Sequence, residues 1–188
     1  MGHSQAEKAR SRERILAEAS QQVRRDGLES VSVGSLMKSV GLTHGGFYGH
    51  FESRSALLAE ALERALLEGQ ANAKAQRPRG FSALVRGYLS RDHRDARDSG
   101  CAMAALVCDV GRADIASRQV MTEHVDAFVA TAAEALGGDR ERAMLAVSAL
   151  VGALALSRVI ADPAKSDAFL KAVRDHLEAL DPGRAGDP

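Results

Sequence analysis

Gly41-Leu42-Thr43-His44-Gly45-Gly46-Phe47-Tyr48-Gly49-His50-Phe51 is the stretch that decides the fold. It joins two short segments of helical spacing. In the first, 32–40, Ser32 is a good N-cap, and Val33, Leu36, Met37 and Val40 recur on one face. The second, about 43–50, is built around Phe47. Gly41 lies between them and can enter the left-handed region without a side-chain clash, so the chain can turn sharply there. Leu36, Val40, Leu42 and Phe47 would then hold the angle by packing on one another, with Phe51 also in the core. Two short helices fixed in this way make a helix-turn-helix, whose second member fits a major groove about 12 Å wide. The same pattern also suits a tight helical hairpin in which Tyr48 and His50 are plain surface residues.

On the N-terminal side, Ser4 and Glu7 have capping-box spacing. Ile15, Leu16, Ala19 and Val23 recur at helical intervals up to Gly27, a C-terminal cap. On the other side, Ser53 opens a helix through Leu57, Leu58, Ala61, Leu66 and Leu67 to about Lys74, and Arg77-Pro78-Arg79-Gly80 breaks it. Further helices are expected at 81–89, 101–110, 114–136 and 139–160. Asp162 caps a last one, with Pro163 at its favoured first position and Phe169, Leu170, Val173 and Leu177 as its apolar face. Residues 91–98 alternate Arg and Asp around His93 and Ala96 and read as a solvated loop. The expectation is an all-α chain of nine helices, with no strand alternation and no internal repeat.

Composition agrees. Hydrophobic residues make up 45%, charged residues 27% and aromatics 4%, and the prevalent Ala and Leu favour helix. The net charge of +0 excludes a basic nucleic-acid coat, although residues 1–54 carry eight Lys and Arg against six Asp and Glu. The two cysteines, Cys101 and Cys108, make no disulfide scaffold and fit a reducing cytosol. Seven positions apart on one helix, they would stand about 10 Å apart at about 1.5 Å per residue, too far to bridge. Both are expected as buried apolar side chains. The N-terminus has no apolar signal core, and the longest charge-free stretch, 143–157, is shorter than the roughly 20 residues of a membrane span. It reads as a buried helix in a cytoplasmic protein with no membrane partner. There is no HExxH, no P-loop and no supported Ser/His/Asp arrangement, and Gly45-Gly46 and Gly49 follow a helix rather than a strand. No catalytic residue, metal site or cofactor is expected.

The opening stretch, with Ser53-Arg54 and Leu57-Leu58 after it and Arg14-Ile15-Leu16 and Asp26-Gly27-Leu28 before it, resembles the TetR/AcrR family of transcriptional regulators over about residues 10–60. Beyond that, the resemblance rests on helix order, on Gly100-Cys101 opening the sixth helix, and on the last two helices. It implies a nine-helix TetR-like fold, with a helix-turn-helix DNA-binding domain at 1–52, a ligand-binding and dimerisation domain at 53–181, and a disordered tail at 182–188. Carried over by position, it makes Thr43, His44, Gly45, Tyr48 and His50 the recognition-helix residues. Ser32 would touch the backbone, and Arg54 matches a family Lys that binds phosphate. The chain departs from the family at His44, where Lys is usual, at Gly34, where Arg is frequent, and at Gly49, where an aromatic or His is frequent. Three glycines in this short helix cost roughly 1 kcal/mol each relative to Ala. Close approach to DNA would account for Gly45 and Gly46, and the helix is expected to be loose until DNA orders it.

In the C-terminal half, the small residues Ala143, Ala146, Ala149, Gly152 and Ala153 suit either an internal core helix or a close helix–helix seam. The resemblance implies the second, a four-helix dimer interface through Ala146, Ala149, Leu150, Ala153, Phe169 and Val173. Met121, His124, Val125 and Phe128 share one helix face. His124 reads either as a hydrogen-bonded core histidine or as a polar group in a ligand pocket walled by Met103, Leu106 and Val107. The expected protein is a homodimeric repressor, released from a near-palindromic double-stranded operator by a small hydrophobic effector that shifts the helix at 53–74. The alternative is a helical ligand- or protein-binding module that does not regulate DNA.

Overall fold

The computed structural model describes residues 5–75, 80–97, 99–181 and 183. Their regular structure is helical throughout: α1 (Gln5–Asp26), α2 (Val33–Ser39), α3 (Arg54–Ala75), α4 (Phe81–Tyr88), α5 (Arg91–Asp95), α6 (Ala102–Val110), α7 (Ile115–Ala135), α8 (Arg140–Val159) and α9 (Pro163–Glu178). Two 3-10 turns, Leu28–Ser30 and His44–Gly49, complete it. Ser4, the break at 77–79, and residues 182 and 184–188 of the expected tail lie outside the described residues.

Side-chain caps set the helix starts. Asp114 accepts from the Ser117 amide at 2.8 Å, and Asp139 from that of Arg142 at 2.9 Å. Asp162 accepts from Ala164 and Lys165 at 2.8 and 3.1 Å, with Pro163 in the first turn.

Three expectations are corrected. The segment 43–50 is a 3-10 turn rather than an α-helix. Three of its six residues are glycine, which weakens an α-helix, and 3-10 geometry suits short pieces. Residues 91–95 form a helix, not a solvated loop. Ser90 caps it by accepting from the His93 amide at 3.1 Å. The alternating charges have partners: Arg91 and Arg94 both pair with Asp167 of α9, at 2.7 and 2.8 Å. Finally, Cys108 is exposed and Cys101 half-buried, and both are free thiols, so neither is the fully buried side chain expected.

The apolar residues form two clusters. The first joins α1, α2, the His44–Gly49 turn and α3 to Met103, Leu106 and Val110 of α6 and Met121 of α7. The second joins α4, α7, α8 and α9. Burying each large aliphatic side chain contributes about 1.5–3 kcal/mol. Ion pairs add a polar seam between α1 and α3: Arg12–Glu60, Arg24–Glu68 and Arg64–Glu13, each at 2.5 Å. Because α3 and α6 share the first cluster with α1 and α2, displacing either moves against the helix-turn-helix directly.

α8 is long and apolar enough to cross a membrane by length and composition, but one face belongs to the core. Ala143, Ala146, Val147, Leu150, Ala153 and Leu154 are buried there, while Met144, Leu145, Leu156 and Val159 are exposed. The helix is therefore half-buried, not buried all round.

Candidate nucleic-acid interface

The turn after α2 is built by its backbone. Gly41 takes φ +72°. The Gly41 amide donates to Lys38 O at 3.0 Å and the Leu42 amide to Met37 O at 2.8 Å, a Schellman closure that ends α2 abruptly. Arg14 of α1 donates to the Val40 carbonyl and fixes the same corner. Leu36, Met37, Phe47 and Phe51 are buried beneath, with Phe47 and Phe51 stacked at 5.7 Å. The His44–Gly49 turn is thus anchored from inside by one phenylalanine.

Its outer side is open. Thr43, His44, Gly45 and Gly49 are exposed, and Tyr48 is 68% exposed, with its ring edge-on to Phe47 at 5.2 Å. Ser32 caps α2, accepting from the Ser35 amide at 3.5 Å, and is exposed. The His44 ring and the Ser32 hydroxyl both lie about 4 Å from where a Cβ on Gly34 would sit. The start of α2 and the start of the turn therefore share one surface. A Cβ at 34 would make ordinary van der Waals contact with both side chains. A Cβ on Gly45 or Gly49 would meet no protein atom within 4 Å, so internal packing does not require glycine at either position.

His50 and Arg54 are placed differently. His50 closes the turn, with its amide donating to Phe47 O at 2.9 Å. Its Nδ1 is buried without a hydrogen-bond partner among the described residues. Burial, and then the positive charges of Lys8 and Arg12, hold its pKa below the ordinary histidine value, so His50 adds no fixed positive charge at neutral pH. Arg54 reaches back to the chain entering α2: Nε donates to Val31 O at 2.9 Å and Nη2 to Leu28 O at 3.1 Å. It positions Ser32 in addition to any contact it makes outward.

Sequence reading passed over the cations of α1 and α2. Lys8 and Arg12, at i and i+4, bear on His50, and the Arg12 guanidinium lies 4.7 Å from the Phe51 ring centroid. Lys38 is exposed in the last turn of α2. The available signal was the Lys8/Arg12 spacing, which puts both on one face of α1.

In the C-terminal half, Met103, Leu106 and Met121 meet in the first cluster, and Val125 and Phe128 pack against both clusters. Val107 stands apart, 39% exposed. His124 is buried on the α3–α7 seam, donating from Nε2 to Glu63 at 3.0 Å and accepting at Nδ1 from Gln70 at 2.7 Å. Two depressions, of about 200 and 150 Å³, lie elsewhere, lined by residues such as Arg91, Lys171 and Arg174, and Arg97, Arg158 and Pro163.

The expected dimer residues divide. Ala146, Leu150 and Ala153 are buried within their own chain, leaving no surface for a second copy, and that assignment is corrected. Helical periodicity explains it: the inward stripe 143/146/147/150/153/154 and the outward stripe 145/149/152/156 are offset by about half a turn. Ala149, Phe169 and Val173 keep partial exposure.

A short core-anchored turn presented beside α2, in an all-helical chain with a larger helical half, defines a helix-turn-helix transcription regulator. Residues 15–61 match the family model for bacterial regulatory proteins of the tetR family. No curated protein matches the whole sequence closely enough to count. Solved structures share the fold. A TetR-family transcriptional regulator from Cytophaga hutchinsonii is similar with a TM-score of 0.80 at 18% identity, over 97% of this chain and 99% of that one. The reduced form of E. coli NemR is similar with a TM-score of 0.73 at 20% identity, over 90% of this chain and 96% of that one. A TetR regulator from Chloroflexus aurantiacus gives 0.74 at 16% identity, over 92% and 94%.

Proposed function

We propose that the chain is a homodimeric repressor that grips a near-palindromic operator with the His44–Gly49 turn of each copy and releases it when a small hydrophobic molecule binds the C-terminal half. Tyr48 carries the DNA reading. Tyr48 is a large aromatic side chain 68% exposed on a turn otherwise pinned to the core, which supports a contact role. Its hydroxyl suits a phosphate oxygen and its ring a thymine methyl. Ser32, Thr43 and His44 flank it, Gly45 lets backbone approach the duplex, and His50 and Arg54 complete the contact set, with Lys8, Arg12 and Lys38 as added phosphate partners.

Dimerisation uses the outward face of α8, where Leu145, Ala149, Gly152, Leu156 and Val159 recur at helical spacing, extended by Phe169 and Val173 of α9. The DNA-binding domain, 1–52, meets the rest of the chain through α3. Glu63 and Gln70 of α3 hold His124 of α7, so a compound that prises open the Met103–Met121–Phe128 region must disturb this seam. It releases DNA only if it prefers the opened form. The protein acts by binding rather than catalysis, where operator DNA lies, in the cytoplasm.

Replacing Tyr48 with Ala should weaken binding to a duplex from upstream of the protein's own coding sequence by about 10–100-fold, the value of one or two groove contacts at about 1–3 kcal/mol each. Fluorescence anisotropy measures this, with circular dichroism and sedimentation unchanged. An unaltered affinity would remove the turn from the interface.

A further inference from the structure

His93, in α5, lies outside the DNA-facing surface, yet both of its ring nitrogens are committed. Nδ1 lies 2.8 Å from the Tyr88 carbonyl, which can only accept, so Nδ1 carries a proton. Nε2 accepts the Cys101 amide N–H at 3.1 Å, so it must present a lone pair. The ring is neutral, in one tautomer, tied to the end of α4 on one side and to the N-cap of α6 on the other. Tyr88 packs edge-on against it at 4.8 Å.

The groups facing this ring decide what a second proton does. From α4 and the α6 cap come the Tyr88 hydroxyl and the Cys101 thiol, hydrogen-bonded to each other at 3.0 Å. From α8, Arg158 donates to His93 O at 3.2 Å and to Arg94 O at 3.1 Å, bringing a cation to the corner. On α5 itself, Asp95 and, from α9, Asp167 are engaged by Arg94; Asp92 is exposed. α7 contributes Phe128, whose ring lies 5.3 Å from that of Tyr88 with the planes tilted by 33°. No carboxylate bonds the ring among the described residues. Burial lowers the His93 pKa, the Tyr88 carbonyl bond partly offsets this, and Arg158 lowers it further.

We propose that His93 is a proton-operated latch on the N-terminal end of α6. Neutral, it ties the Cys101 amide to Tyr88; protonated at Nε2, it turns a donor toward a donor, loses that bond and frees the helix end. The effect reaches beyond the corner. α6 has nine residues, about 13 Å at about 1.5 Å per residue. Its far end packs in the first cluster with Leu28, and a Cβ on Gly27, at φ +88°, would lie 2.6 Å from Asp109 Oδ2. Loosening α6 therefore loosens the support of the Leu28–Ser30 turn that leads into α2.

Opened, His93 titrates near its ordinary pKa, about 6.5; closed, it titrates lower. The closed form is fully favoured above about 6.5, and opening gains up to roughly tenfold per pH unit below it, until the closed-form pKa is passed. Hydrogen exchange of the full chain from pH 7.5 to 5, corrected for intrinsic rate, should show protection of residues 101–106 falling in acid while an α8 peptide, 143–154, stays constant. In His93→Gln, whose amide oxygen can keep accepting from Cys101, protection of 101–106 should be flat with pH. Constant protection in the native chain, or the same acid loss in the Gln variant, overturns the latch. If that variant does not fold, nitrogen-15 NMR of His93 in the native chain decides instead. The latch requires the Nδ1–H tautomer at pH 7.5 and a Cys101 amide shift with the same midpoint as the ring; the Nε2–H tautomer overturns it.

Discussion

Replacing Leu145 and Leu156 together with Glu should convert the proposed dimer into folded monomers. These leucines are 64% and 55% exposed on the isolated chain, with Val159 beside them at 79%. Neither leucine belongs to either core cluster, so the substitutions spare the monomer core. In a two-fold interface each change is made twice. Losing the burial of four leucines at about 1.5–3 kcal/mol each removes roughly 6 kcal/mol or more, a loss beyond about ten-thousandfold in dimer affinity. Light scattering behind size exclusion measures the mass. The contrasting change is Leu150→Ala, on the buried stripe, which should lower the unfolding midpoint by the about 2–5 kcal/mol of a core truncation while leaving the dimer's mass intact when folded. A native-size double-Glu variant would move the interface elsewhere.

Phe47→Ala should have the largest effect on the DNA-binding half. Phe47 is fully buried, lies edge-on to Tyr48 at 5.2 Å and stacks on Phe51 at 5.7 Å. It is the one large side chain that pins the His44–Gly49 turn inward. Truncating a buried Phe costs about 3–5 kcal/mol. The turn holds little strength of its own, because three of its six residues are glycine. We expect early thermal loss of the α1–α2 signal, loss of operator binding, and a second core of α4, α7, α8 and α9 that stays folded. Chemical denaturation followed at residues of each half measures the two separately. Tyr48→Ala shares the binding loss but not the stability loss, which separates contact from scaffold.

The helix-turn-helix was legible because its signals are local. Ser32, Gly41 and the apolar set Leu36, Val40, Leu42 and Phe47 fix caps, turn and core within twenty residues, and each was found in that role. What could not be read was set by distant partners. α5 read as a loop because its Arg and Asp residues find their ions on α9, some seventy positions on. The inward and outward faces of α8 are both apolar, so composition could not say which one meets the core. Ala146, Leu150 and Ala153 were assigned to the wrong side for that reason. Arg54, expected as a phosphate contact, also bonds the Leu28 and Val31 carbonyls, partners its own position in the sequence did not reveal.

Hydroxyl-radical footprinting on DNA upstream of the protein's own coding sequence tests the account at its centre. A homodimer that presents two His44–Gly49 turns should protect two patches on one face of the duplex, their centres about 10 bp apart or a multiple of that. Both should vanish with Tyr48→Ala at equal protein concentration. A folded native dimer that leaves this DNA unprotected at low salt, or protects it identically with and without Tyr48, would contradict the account.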